Sequence, residues 1–121
     1  MSTLVLINVL PKQMFDDCRI KGSVNVPLNQ LDEYCKKLDK HQPIVVYCAS
    51  YACTASGKAF RLLRAQGFEQ VWAYEGGMNE WLHAGYPTEG TCQGPYLSEK
   101  IDKSAAQTDE DIKQIYLPEL V

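Results

Sequence analysis

Basic residues are scarce. Lysine and arginine together number 12 against 15 acids, only three are arginine, and the formal net charge is −3 over 121 residues. A nucleic-acid surface normally carries a clustered basic face, so that class of partner is set aside. No apolar run approaches the length that spans a bilayer, and Met1-Ser2-Thr3 has neither the basic region nor the cleavage site of a signal peptide. The expectation is a cytoplasmic protein with no membrane partner. Internal repeats and low-complexity blocks are also missing, and the length suits one core rather than two. The five cysteines lack the even number and regular spacing of a secreted disulfide framework. They also lack a two-residue Cys-Cys spacing, which removes the usual zinc signature. A reducing compartment would keep most of them as thiols. On that reading Cys18 and Cys35 are small buried hydrophobes, while Cys92, in a polar Gly-rich stretch, has no assigned role.

What remains is strands alternating with helices. Leu4-Val5-Leu6-Ile7-Asn8-Val9 reads as a strand buried on both faces, and Pro11 starts a helical turn reaching about Cys18. Val24-Asn25-Val26 reads as a short strand ended by Pro27. Asn29 is a candidate cap for a helix to about Asp39, with Asp32 and Glu33 early and Lys36, Lys37 and Lys40 late. Pro43 opens a strand that ends at Cys48. A helix then runs to Gln66 with Ala59, Leu62 and Leu63 inward, Lys58, Arg61 and Arg64 largely outward, and Gly67 as its stop. Val71 to Tyr74 and a helix holding Met78, Trp81 and Leu82 complete the pattern, which predicts a mainly parallel sheet with helices on both faces. Residues 1–88 form this α/β domain. Residues 89–121 read as a C-terminal extension, a linker followed by a helix that docks through Ile101, Ile112, Ile115 and Leu117.

The chemistry centres on Cys48, at the end of Ile44-Val45-Val46-Tyr47 and followed by Ala49-Ser50-Tyr51-Ala52-Cys53-Thr54 and a helix. Backbone N–H groups at a helix N-terminus lack intrahelical partners and carry the positive end of the dipole, so a thiolate held there is stabilised. Cys53 shares the loop. It is either a second reactive thiol or a packing residue. Ser50 and Thr54 can donate hydrogen bonds to sulfur, and Thr54 serves equally as a helix cap. Trp81 reads as core, Glu75-Gly76-Gly77 as a turn packed near the loop, and His41 and His83 as surface or packing residues.

The order of these segments resembles a rhodanese-like domain, a single-domain member of the sulfurtransferase superfamily. The resemblance covers about Leu4 to Thr88. It rests on Leu6-Ile7-Asn8-Val9, Ile20-Lys21-Gly22-Ser23-Val24-Asn25-Val26-Pro27, Ile44 to Cys48 with its loop and helix, and Glu75-Gly76-Gly77 with Trp81 and Gly85-Tyr86-Pro87. It implies a three-layer α/β/α fold and a Cys48 persulfide that carries sulfane sulfur from a small or protein-bound donor to a thiol or other nucleophile. It implies Ala49, Ser50, Tyr51, Ala52 and Thr54 around the substrate, and neither cofactor nor metal. Several positions depart from the family pattern. Asn8 and Leu10 stand where aspartate and arginine are usual, Arg19 where histidine is usual, and Cys53 where the loop normally ends in a cation. The family also normally starts with another strand and helix. Without them an edge is left that the C-terminal extension or a second subunit of a homodimer could cover.

The loop from Ala49 to Thr54 therefore has no charged side chain, and weak activity toward doubly charged thiosulfate is expected, with persulfides preferred. Two alternatives accompany this reading. One is a Cys48/Cys53 dithiol reductase or redox relay, and the other is a non-catalytic protein-binding module. A phosphatase is disfavoured because a loop arginine is missing.

Overall fold

A computed structural model describes residues 3–105. Four strands, β1 (Val5–Asn8), β3 (Val24–Asn25), β4 (Ile44–Tyr47) and β5 (Val71–Tyr74), form a parallel sheet in the order β3-β1-β4-β5. In β4 every side chain is buried and successive residues enter opposite layers, because side chains alternate across a sheet. Ile44 and Val46 join Ile7, Leu31, Phe60 and Leu63 on one face. Val45 and Tyr47 join Tyr74, Met78, Trp81 and Leu97 on the other.

The helices between these strands are α1 (Lys12–Asp17), α2 (Leu31–Cys35) and α3 (Ala55–Ala65), and α4 (Gly77–His83) follows β5. The predicted boundaries of α1, α3 and α4 hold to within a residue or two. Along α3, Ala59 and Leu63 are buried as expected, Phe60 joins them, and Leu62 is only half-buried. Gly67, at φ 99°, ends it.

Two expectations change and one element is added. The helix expected from Asn29 to Asp39 is shorter. Pro27 is followed by a 3₁₀ turn over Leu28–Gln30, α2 occupies only Leu31–Cys35, and turns carry the chain on past Lys36. A second, two-stranded antiparallel sheet pairs β2 (Arg19–Ile20) with β6 (Thr88–Glu89). Cys18 is not a free buried thiol: it is disulfide-bonded to Cys92 across 74 residues of sequence. Cys35 is free and buried, as expected.

The disulfide belongs to a wider clamp on the extension. The Asp17 carboxylate accepts hydrogen bonds from Thr91 Oγ1 and the Gln93 and Gly94 N–H groups, each at 2.9 Å. Further on, Leu97 is buried against α4. Asn79 Nδ2 reaches the carbonyls of Tyr96 and Glu99 at 2.9 and 3.1 Å. His83 Nε2 donates to the Leu97 carbonyl at 2.7 Å, which makes it a packing histidine. Among the described residues the extension thus lies on α4 and not beside an edge of the parallel sheet. Its docking residue is Leu97, with Ile101 half-buried. Ile112, Ile115, Leu117 and the expected helix lie outside the described residues.

Candidate active site

Cys48 follows β4 directly at the carboxyl end of the sheet, where the chain leaves the sheet and must turn before α3 begins. Two elements hold that turn. Within it, the Cys53 N–H donates to the Ser50 carbonyl at 3.0 Å. From across the site, the Met78 and Asn79 N–H groups at the start of α4 donate to the carbonyls of Cys48 and Ala49, both at 2.9 Å. The unpaired donors of one helix N-terminus therefore fix the backbone of the loop that precedes another. This approach requires Gly77. Its φ is 62°, and a Cβ there would collide with the Cys48 carbonyl. The Glu75-Gly76-Gly77 turn accordingly packs against the loop, as its sequence implied.

The two thiols meet. Cys48 Sγ hydrogen-bonds with Cys53 Sγ and also receives the Ser56 N–H and hydroxyl. Cys53 Sγ receives the N–H groups of Ala49 and Ala55. Cys48 is 0% exposed and Cys53 half-buried. Two sulfurs this close lose one proton readily and a second only against the first charge. The contact with Cys53, together with complete burial, pushes the Cys48 thiol well above the ordinary range. Cys53 is pulled down to about 6, chiefly by the hydrogen bond from Cys48, then by the two backbone donors and the charge of Lys58. The charge therefore sits on Cys53, which keeps more solvent and faces the lysine.

The other expected residues are placed as follows. Ala49 and Ser50 are half-buried, and Ala52 and Thr54 are exposed. Thr54 stands at the N-cap of α3, but its side chain makes no capping hydrogen bond, which corrects its reading as a side-chain cap. Tyr51 is buried and its hydroxyl donates to Glu80 Oε2 at 2.8 Å. Glu80, 8% exposed, also accepts the Tyr74 hydroxyl at 3.1 Å, and Lys103 Nζ lies 3.9 Å from it. One buried carboxylate thus ties the loop, β5 and the extension together. Burial and Glu80 hold the Tyr74 phenol above its usual range, so it stays a donor. A cavity of about 280 Å³ lies between Ser50, Tyr51 and Ala52 and the extension residues Glu99 to Asp102. Trp81 is core and gives its indole N–H to the Pro87 carbonyl. His41 is exposed beside Glu69.

Asn8 and Leu10 also have defined roles. The Asn8 side-chain oxygen accepts the Leu10 N–H at 2.9 Å, and Asn25 Nδ2 donates to the carbonyls of both residues. Arg19 stacks on Phe15 and pairs with Glu89 at 3.6 Å. An apolar groove lined by Val9, Leu10, Pro27, Leu28 and Ala55 opens next to α3.

Reading the sequence missed Ser56, Lys58, Asn79 and Glu80. A serine in the first turn of the helix following the thiol was an available signal for Ser56. Glu80, flanked by Asn79 and Trp81 on a short buried helix, was a second. Among the described residues no group of three or more His, Cys, Asp or Glu side chains could hold a metal ion, and Cys92 is committed to Cys18. No helix among the described residues is long and apolar enough to cross a membrane.

Comparison with known proteins agrees with this architecture. A family model described as the rhodanese-like domain matches residues 1–84. The thiosulfate sulfurtransferase GlpE of Pseudomonas savastanoi pv. phaseolicola is 36% identical over 90 residues, 74% of this chain and 81% of that protein. The protein of the same name from Coxiella burnetii is 31% identical over 85 residues, 70% of this chain and 77% of that protein. Among solved structures, the rhodanese-like domain of the Alr3790 protein from Anabaena superposes with a TM-score of 0.66 at 30% identity, covering 74% of this chain and 83% of that one.

Proposed function

Because the chain belongs to the rhodanese-like domain family, we propose that it is a sulfurtransferase whose carrier is a persulfide on Cys48. The observation that carries this is the setting of the Cys48 sulfur. It is enclosed at the carboxyl end of β4, accepts hydrogen bonds from the Ser56 N–H and hydroxyl, and is in contact with a second thiol. Such a pocket holds a terminal sulfur with backbone and hydroxyl donors and needs neither metal nor cofactor. A thiolate attacks the outer sulfur of a donor, the donor's S–S bond breaks, and the sulfane sulfur later passes to a thiol or other nucleophilic acceptor. Ala49, Ser50, Tyr51, Ala52 and Thr54 surround the incoming group.

The donors are low-molecular-weight or protein-bound persulfides in preference to thiosulfate. The relatives are named for thiosulfate, but a doubly charged oxyanion is usually held by an arginine or lysine fork, and this loop has none. Lys58 acts on Cys53 from the first turn of α3 and does not belong to the loop. A homodimer is the assembly to look for, with no nucleic-acid or membrane partner.

The contact between the thiols favours a second reading, a dithiol relay. Cys53 would attack the inner sulfur of the Cys48 persulfide, release hydrosulfide and leave a Cys48–Cys53 disulfide for an external dithiol to reduce. Peptide mass spectrometry after incubation with glutathione persulfide separates the possibilities. The transferase predicts one added sulfur resting on Cys48 and removable by excess thiol. A Cys48–Cys53 disulfide with free hydrosulfide supports the relay. No sulfur from any donor leaves a protein-binding module and refutes both.

A further inference from the structure

The site just described has its reactive thiol and its enclosed thiol on different residues. Cys48, where sulfur is proposed to rest, is 0% exposed, its sulfur accepts from Ser56, and its backbone carbonyl is held by the Met78 N–H. Cys53 is half-buried, receives two backbone N–H groups and lies nearer solvent and Lys58. An attacking sulfur must be approached along the axis of the bond it breaks, which a fully enclosed atom does not permit to a donor of peptide size. Attack on an external donor also starts from a thiolate, whereas a thiol can attack a neighbouring sulfur that takes its proton as it leaves.

We infer that sulfur is taken up first by Cys53 and is then relayed inward to Cys48, so that the residue standing at the usual cation position is the first nucleophile. This rests on the sulfurtransferase reading and assigns its order. In the first step the Cys53 thiolate attacks the outer sulfur of a donor R–S–SH. A bond forms between Cys53 Sγ and that sulfur, the donor S–S bond breaks, and R–S⁻ departs. In the second step the Cys48 thiol attacks the same outer sulfur. A bond forms at Cys48, the S–S bond at Cys53 breaks, and the Cys48 proton passes to Cys53 Sγ, leaving Cys48–S–SH and Cys53–SH. The sulfane sulfur keeps its oxidation level throughout, so neither step requires an oxidant or reductant. The hydrogen bond between the two sulfurs is the path along which both the proton and the sulfane sulfur move.

The negative charge on Cys53 also explains what the loop accepts. The Ala49 and Ala55 N–H groups, which could hold an oxyanion, are directed at a thiolate belonging to the protein itself. A donor that carries two negative charges beside its transferable sulfur is repelled by that charge more strongly than one whose reacting S–SH end is uncharged.

The test is rapid mixing of the full chain with glutathione persulfide, followed by acid quench and peptide mass spectrometry, for wild type, Cys48→Ser, Cys48→Ala and Cys53→Ser. Both Cys48 variants should gain one sulfur on Cys53. Cys53→Ser should load Cys48 on the order of tenfold more slowly than wild type or worse, because the remaining thiol is the enclosed one. The wild-type rate should rise with pH through a midpoint near 6. Loading of Cys48 at the wild-type rate in Cys53→Ser, with no sulfur on Cys53 in either Cys48 variant, overturns the order while leaving the sulfurtransferase intact. A wild type that takes up no sulfur overturns both.

Discussion

The hydrogen bond between two adjoining thiols, with the burial of Cys48 behind it, raises one and lowers the other, and this sets the pH behaviour of the site. Cys53 has a folded pKa of about 6 against an ordinary thiol value of 9.0, so its ionisation favours the folded state. The sign follows from linkage. A depressed pKa contributes stability that is fully present above the unfolded value and is lost as pH falls through the folded one. Cys48, raised, works the other way: its contribution is full below 9.0 and declines only above that. Between about pH 6 and pH 9 Cys53 acts alone, so the melting temperature of wild type should rise relative to that of Cys53→Ser across this window. Parallel melting curves would refute it. Alkylation by iodoacetamide should follow the same midpoint. Cys48→Ala should move that midpoint upward, because it removes the largest cause of the shift. At this scale the sequence revealed the neutral loop and both cysteines. The hydrogen bonds from Ser56, and the reach of Lys58 from the next helix, depend on how α3 is seated, and no local pattern encodes that.

Among the elements, strands and helices with a strong periodic or apolar signature were legible and those held by distant pairing were not. The apolar run Ile44 to Tyr47 specified a buried strand because both its faces are covered. The two-residue partners β2 and β6 are too short to carry an alternating pattern, and their pairing is set by the chain returning after α4. The Cys18–Cys92 bond spans 74 residues and could not be paired from spacing. Reducing it, or replacing Cys18 with serine, should lower stability by about 2–4 kcal/mol and be read as a lower melting temperature. An unchanged melting temperature would mean that the Asp17 contacts alone hold residues 90–94. Where α4 meets the loop, Gly77→Ala should cost about 1–3 kcal/mol from its positive φ alone. Because the added methyl also presses on the Cys48 carbonyl, sulfur loading should slow as well. Normal loading at reduced stability would separate the fold requirement from the site requirement.

At the scale of the whole molecule, a parallel sheet with helices on both faces was legible because its strands, turns and helices occur in one recognisable order. Its C-terminal attachment was only half legible. Ile101 was seen, but Leu97 and the three-carbonyl grip of Asn79 were not, because a single buried leucine among polar residues has no period. That attachment brings the extension to within reach of Glu80 and of the cavity beside Ser50, Tyr51 and Ala52. On the proposed reading, a loop with no cationic side chain holds the protein's own Cys53 thiolate where a donor oxyanion would otherwise sit. Steady-state turnover of glutathione persulfide against thiosulfate, with the same acceptor thiol, tests it most directly. The account predicts a kcat/KM for the persulfide higher by about tenfold or more, the equivalent of one missing charge-assisted hydrogen bond. A thiosulfate value equal to or above that of the persulfide would contradict it.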